Sequence, residues 1–441
     1  MDTAEHRAPP LHINHHLGIC SHAAMDDDAN HAVADLAHAL GFQDGQQSTY
    51  VPYLNYIQGC WPGKRTKAEF LKLFAEVVTF FMEHHESSVQ SYIGSLVNNS
   101  QHIYFQDTPP ASQVRQIAVE DAVLLILGSW TLMHTYFIPL HGRPRHIFRM
   151  ASNRHPDIEP LQQSLFNFIE SSGLIPNPRE ALTPVESVTQ QDVELDDMSS
   201  LSPSLAHHSS AGLIESLSIE ARDLNLSKLM TLARVRLIWT DNLSRHLLLS
   251  RRGQKKYLEL FALPCALHRG TLNVFGTIGI SANLLDEVES SYANLFNPTV
   301  PNRIHKYAER LIGLRLWCWC LSYSSQRLKS RELRMLKGQV SRVGRHNDRF
   351  RYGKLQLPYD PMLEDLAGRE ATWWDQTEFE NLWPRILALE KCLQEARPWS
   401  FWVLLRDKRD TVQYWTFLFG TVILALTMVQ VVLGAVQVAR S

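Results

Sequence analysis

The sequence predicts an α+β fold that is predominantly helical: a helical domain with a small antiparallel β-meander, a long linker, and one C-terminal transmembrane helix. Three observations carry this expectation. Apolar residues recur at three- and four-residue spacing over several stretches, as on the buried face of a helix. The period shortens to two around Val235, Leu237 and Trp239, as in a half-buried strand. Finally, no charged residue falls within 411–439, whereas a bilayer span needs only about 20 apolar positions.

Composition narrows the function classes. With 441 residues, two to three domains are expected at about 150 residues each. The net charge of −2, from 43 basic and 45 acidic residues, excludes a strongly basic chain built around nucleic acid, though not a local basic patch. The six cysteines (Cys20, Cys60, Cys265, Cys318, Cys320 and Cys392) form no C-x-x-C pair, so zinc ribbons and thioredoxin-like redox motifs have no support. Their scatter suits a reducing compartment.

In chain order, residues 1–48 read as a flexible, His-rich tail holding His6, His12, His15, His16, His22, His31 and His38. It has no apolar stretch of the kind a cleavable signal peptide requires, and no fixed metal-ligand pattern. Residues 49–178 read as helical. Thr66-Lys67-Ala68-Glu69 is a capping box, and Phe70, Phe74, Val77, Val78 and Phe81 continue it as an apolar face. A second helix is expected over 112–137. Its stretch 122–140 has no formal charge and admits two readings, a buried core helix or a second membrane span; the interruption by Gly128, Ser129, His134 and Thr135 favours the core.

Residues 179–217 are acidic and rich in Ser and Pro, a linker composition. Residues 218–300 carry the β-meander, with strands near 235–240, 247–249 and 257–261 and a polar Gly253 loop between the last two. A helix over 282–296 follows, capped by Ser281. Residues 301–396 read as a helical region with a basic segment, broken at Pro358 and Pro361. Residues 397–410 are an interfacial juxtamembrane segment with Trp399, Phe401 and Trp402, and 411–439 is the anchor.

No catalytic, cofactor-binding or metal site is expected. There is no phosphate-binding G-x-x-x-x-G-K-[ST], and Gly276-Thr277-Ile278-Gly279 is not a dinucleotide fingerprint. The adjacent histidines of Glu83-His84-His85-Glu86 do not share a helix face, and no G-x-S-x-G elbow occurs. The turn at Asp241, Ser244 and His246 supplies acid, hydroxyl and imidazole. It is either a polar functional site or an ordinary turn, since Asp, Asn and Ser are common turn residues.

Arg327, Lys329, Arg331, Arg334, Lys337, Arg342 and Arg345 make a basic helical segment. Three readings stay open for it: a solvated face, binding to an anionic membrane surface or a partner, or nucleic acid, the last the least favoured. Within the anchor, Thr416, Gly420, Ile423, Thr427, Gln430, Gly434 and Gln437 fall on one helical stripe, mostly small or polar. Such a stripe suits association with another helix or with its own copy; alternatively, the glutamines are simply tolerated near the far interface. Arg406, Lys408 and Arg409 precede the span and only Arg440 follows it, so the N-terminal bulk is expected in the cytosol, as in a tail-anchored protein. The sequons at Asn98, Asn225 and Asn242 would matter only in the opposite orientation.

The run from Trp402 to Asp410, the aromatic Tyr414-Trp415-Thr416-Phe417, and the anchor bearing Gln430 and Gln437 resemble the ending of a family of filamentous-fungal proteins with a single C-terminal transmembrane helix. The stretch from Arg236 to His246, the Leu258-Glu259-Leu260-Phe261 strand and Tyr292 to Phe296 resemble that family as well. The resemblance implies a fungal source and one span, and it transfers no activity. The expected partners are the lipid bilayer and a helix or second copy met by the anchor; nucleic acid is not expected. The leading functional reading is a non-catalytic interaction or scaffold protein on the ER or another internal membrane. The alternatives are a membrane-associated enzyme or accessory factor of fungal specialised metabolism, and a multi-span protein using 122–140.

Overall fold

The computed structural model describes residues 22–42, 47–63, 65–109, 112–133, 137, 162–171, 173, 175–176, 218–267, 269–298, 321–341, 357–396 and 411–440. The linker 179–217, the juxtamembrane segment 397–410, the basic positions Arg342 and Arg345, and His6, His12, His15 and His16 lie outside these residues. Among the described residues the fold is α+β and mostly helical, with two small sheets.

The N-terminal helices are α1 (His22–Ala39), α2 (Gln47–Gly59), α3 (Lys67–Glu83), α4 (Val89–Asn98) and α5 (Gln113–Trp130), with α6 (Leu165–Ser171) further on. Helix α3 starts where its capping box says it should. The Thr66 hydroxyl accepts from Glu69 N, and the Glu69 carboxylate accepts from Thr66 N, both at 3.2 Å. Its apolar face, including Phe70, Phe74, Val77 and Phe81, is buried.

Helix α1 packs on α3 and corrects the expectation of a flexible tail up to residue 48. Ala32, Leu36 and Leu40, four apart, are buried, while His31 and His38 point to solvent. His31 and His38, two of the histidines that made the segment look like a tail, lie on the polar side of an amphipathic helix.

Helix α5 settles the two readings of 122–140 where it is described. Val123, Leu124, Ile126, Leu127, Trp130, Leu132 and Met133 show no exposed surface, and Phe137 only 1%. From Ala122 onward its apolar residues are covered by protein, as in a core helix, whereas Val114 and Ile117 in its first turns are exposed. Positions 134–136 and 138–140 lie outside the described residues. The helix ends as Leu132 turns to a positive φ of 56°. The Leu132 carbonyl then accepts from Leu243 N at 2.8 Å, tying the helical layer to the sheet.

The strands are β1 (Ser218–Glu220), β2 (Arg236–Thr240), β3 (Leu248–Arg252) and β4 (Lys255–Phe261), and α7 (Leu226–Thr231) joins the first two. β3 and β4 form the expected hairpin, turning at Gly253 with φ 58°. The strand order is β2-β4-β3, however, and β2 runs parallel to β4, with Leu237 opposite Leu258 and Trp239 opposite Leu260. The sheet is therefore mixed, not an antiparallel meander. A 3₁₀ turn at Leu243–Arg245 and a left-handed Leu247 (φ 58°) carry β3 past β4. The centre goes to β4, the strand whose Leu258, Leu260 and Phe261 are fully buried.

Beyond the sheet lie α8 (Leu272–Thr277), α9 (Ala282–Phe296), α10 (Leu321–Ser341), α11 (Met362–Leu366), β5 (Trp373–Asp375), α12 (Trp383–Gln394) and α13 (Thr411–Arg440). β5 pairs antiparallel with β1, an unexpected two-stranded sheet. Ser281 caps α9 as expected, accepting from Leu284 N at 3.2 Å.

On α9, Glu287, Ser291 and Asn294 make a buried polar stripe at four- and three-residue spacing. Glu287 accepts from Asn381 N (3.0 Å), Asn381 Nδ2 (2.6 Å) and Leu382 N (2.8 Å), which holds the start of α12. Asn294 Oδ1 accepts from Thr372 N at 2.8 Å. These bonds fasten the 357–396 segment across the sheet layer. One hydrophobic cluster accordingly runs from Ala32 to Leu393.

Candidate functional site

Helix α13 has 30 residues, and its stretch Phe419–Ala439 has a mean hydropathy of 2.2 with none of it buried. At about 1.5 Å per residue, those 21 residues span about 31 Å, the thickness of a bilayer's hydrocarbon core. Among the described residues this is the one helix long and apolar enough to cross a membrane. Trp415 and Phe419 lie together at its start, ring centres 5.9 Å apart, where amphipathic aromatic rings favour the headgroup zone.

The stripe positions are all on this helix. They resolve into two series of period seven, Gly420, Thr427 and Gly434 in one and Thr416, Ile423, Gln430 and Gln437 in the other. Thr427 satisfies its hydroxyl internally, donating to the Ile423 carbonyl at 2.8 Å. The amides of Gln430 and Gln437 have no hydrogen-bond partner among the described residues. Val429 is the midpoint of the span and Gln430 follows it directly, so Gln430 lies at mid-depth, whereas Gln437 is two residues from the end.

The basic helix α10 divides its charges. Leu333 and Leu336 are buried; Lys329, half-buried, and Lys337, exposed, extend from that side toward α11. Lys329 donates to the Ala367 carbonyl at the end of α11 (3.3 Å), and burial lowers its pKa. Lys337 pairs with Glu364 and sits 4.6 Å over the Tyr359 ring. Arg331 and Arg334 point outward, with Arg327 half-buried on the same side. Lys329 and Lys337 are thus tied to the α11 segment, whereas Arg331 and Arg334 are exposed to solvent.

The Asp241, Ser244 and His246 turn is brought together in sequence but not in chemistry. Tyr56 donates to Asp241 Oδ2 at 3.3 Å, and burial raises the Asp241 pKa. Ser244 is buried and its hydroxyl donates to Asn242 Oδ1 at 2.7 Å. His246 has no exposed surface. Phe261 N donates to its Nδ1 at 3.2 Å, so Nε2 carries the proton and donates to Ser291 Oγ at 2.7 Å. Burial and the neighbouring Arg385 push its pKa down to about 3. An imidazole with both nitrogens engaged and no exposure cannot reach a substrate proton.

Ser291, which holds His246, and Asn294, which holds the Thr372–Trp373 backbone, were missed by sequence reasoning. Their only signal was their place on the apolar face of an amphipathic helix, between Leu284, Val288 and Leu295. An open groove between α1 and α3 is lined by Asp35, His38, Glu76 and Glu83 among others, and by none of the turn residues. No group of three or more His, Cys, Asp or Glu side chains among the described residues could hold a metal ion. Cys60, Cys265 and Cys392 are buried free thiols.

Of the sequons, Asn225 and Asn242 are fully buried helix caps, accepting from Lys228 N and Ser244 N respectively; Asn98 is exposed. Fold and candidate site thus define a mostly helical α+β domain joined to one helix that meets the requirements of a membrane span. No protein-family model, no curated protein and no solved structure matches the chain, so the functional reading rests on its own residues.

Proposed function

We propose that this is a single-span membrane protein held by its C-terminal helix, with the α+β domain facing the cytosol as a non-catalytic interaction or scaffold module on an internal membrane. The observation that carries the reading is the exposed apolar surface of α13: Leu424, Leu426 and Leu433 are each 60–65% exposed in the described chain. A continuous apolar surface of this size is not sustained in water and is matched by a bilayer. Arg406, Lys408 and Arg409 before the span support the cytosolic side for the domain. The outward Arg331 and Arg334 support contact with an anionic leaflet. The engaged state of Asp241, Ser244 and His246 supports a role without chemistry at that turn.

The test is protease protection of the N-terminally tagged full chain in sealed membranes after a carbonate wash. Retention with a digested tag supports the reading, and release by carbonate refutes the span. A protected tag with a glycan on Asn98, the one exposed sequon asparagine, refutes the orientation.

A further inference from the structure

We infer that the anchor forms a parallel two-stranded pair with a second copy of this chain, joined at mid-membrane by a reciprocal amide contact between Gln430 of one protomer and Gln430 of its partner. The inference rests on α13 being a membrane span and adds the partner, the register and the residue that decides both.

The argument begins with an unmet hydrogen-bonding need. A primary amide in hydrocarbon has no water to bond, and each unsatisfied polar group there costs several kcal/mol. Gln430 lies next to the midpoint of Phe419–Ala439, about 15 Å from either interface. Its side chain is too short to bring the amide to the headgroups from that depth. It has no partner within the described chain, in contrast to Thr427, whose hydroxyl is satisfied by its own helix. Gln437, two residues from Ala439, is close enough to the interface to be hydrated. Tolerance at the far interface therefore accounts for Gln437 and leaves Gln430 unexplained.

The seam supplies the geometry. Gly420, Thr427 and Gly434 repeat every seven residues, as do Thr416, Ile423, Gln430 and Gln437, three positions later. A sustained seven-residue repeat keeps one line of contact along a left-handed helix pair, where a 3.6-residue helix alone would drift about 20° per repeat. The first series is small, which lets the two backbones approach closely. The second places Gln430 where a two-fold axis sets identical side chains face to face.

An amide is donor and acceptor at once, so the same residue completes itself across that axis: Nε2 of each donates to Oε1 of the other. Copies inserted by one route share one orientation, which makes the pair parallel and keeps the two Gln430 residues at equal depth. The remaining surface of the span, with Val422, Leu424, Leu426, Val429, Val431, Val432 and Leu433 exposed, is apolar apart from Thr421 and faces lipid.

The experiment uses the full chain, labelled at its N-terminus with donor or acceptor fluorophore and reconstituted in phosphatidylcholine vesicles. Energy transfer is titrated against the protein-to-lipid ratio. Transfer in wild type should grow linearly with acceptor fraction, as for a pair. Gln430→Leu should raise the dissociation constant about 3- to 30-fold, the range expected for one interhelical amide contact. Gln430→Asn, which keeps an amide, should recover most of the association, and Val429→Leu on the lipid face should leave it unchanged. Carbonate-resistant retention of each variant in the vesicles is measured in parallel. Retention with identical transfer for wild type and Gln430→Leu overturns the pair and leaves the membrane reading standing. Loss of retention in wild type overturns the membrane reading itself.

Discussion

Lowering the pH tests the buried imidazole of His246 quantitatively. Its pKa is about 3 in the native chain against a reference of 6.5 in the unfolded one. A histidine shifted downward is neutral in both states above pH 6.5, so its contribution to stability is complete there. As pH falls below 6.5, the unfolded chain binds a proton that the native chain refuses, and stability is lost until the native group titrates near pH 3. Integrating that linkage from pH 7.5 to pH 5.0 gives a loss of about 2 kcal/mol from this one residue. Asp241, Asp360, Glu287 and Glu332 have pKa values raised by burial and act in the opposite sense, favouring the native state as they protonate.

The decisive quantity is therefore a difference. Urea unfolding of the full chain in detergent micelles, followed by tryptophan fluorescence, is run at both pH values for wild type and for His246→Asn. The asparagine carbonyl can accept from Phe261 N–H in place of Nδ1 and cannot titrate. The variant is weaker at pH 7.5, because it loses the Ser291 bond and the packing on Tyr292, 5.3 Å away between ring centres. Its pH dependence should nevertheless be shallower than wild type by about 2 kcal/mol. Equal slopes in the two proteins would refute the neutral, doubly bonded imidazole.

Three further outcomes follow from particular contacts. Glu287→Ala leaves Asn381 N and the buried Leu382 N without their acceptor and should cost about 2–4 kcal/mol in the same unfolding assay, with Glu287→Gln recovering part of it. Two glycines with positive φ should separate cleanly. Gly253→Ala meets open space and pays only the left-handed conformation, about 1–2 kcal/mol, whereas at Gly41 the added Cβ would lie 2.6 Å from the Gly270 carbonyl oxygen, and Gly41→Ala should lower soluble-domain stability well beyond that. Charge reversal of Arg331 and Arg334 together to Glu should leave the unfolding midpoint nearly unchanged and reduce the extra binding to phosphatidylserine-containing vesicles over phosphatidylcholine ones; equal binding would remove the membrane-facing role of that helix side.

What the sequence made legible is what local chemistry decides. Helices α3 and α9 were readable with their caps because Thr66, Glu69 and Ser281 act within three residues of themselves. The β3–β4 hairpin was readable because Gly253 specifies a turn. Helix α13 was readable as a candidate span because crossing a bilayer makes a compositional demand on a continuous stretch. The position of β2 was not: it depends on the bond from Leu243 N to the Leu132 carbonyl, more than a hundred residues earlier, and on a left-handed Leu247 that no propensity announces. Helix α1 was hidden by histidines that occupy its solvent side. His246 was visible as a polar turn residue, but nothing near it in sequence indicated that Ser291 would accept a hydrogen bond from its Nε2.

The same physical criterion separates the two kinds of polar residue the sequence singled out. A group that works on another molecule must retain unused hydrogen-bonding or charge capacity where that molecule can reach it. Inside the α+β domain, Tyr56 donates to Asp241, Ser244 donates to Asn242, and His246 has both ring nitrogens engaged; each contact holds loops and strands in place. Lys329 and Lys337 are likewise engaged by the α11 segment. Capacity remains on the outward arginines of α10 and, most sharply, at Gln430, where the surroundings a membrane would provide offer neither water nor an intrachain partner. Of these residues, those with binding capacity left over lie on helix α13 and on one exposed side of α10. For this reason the function proposed here is assembly at a membrane surface, and Gln430 is the position at which a single substitution should change that assembly without disturbing the fold.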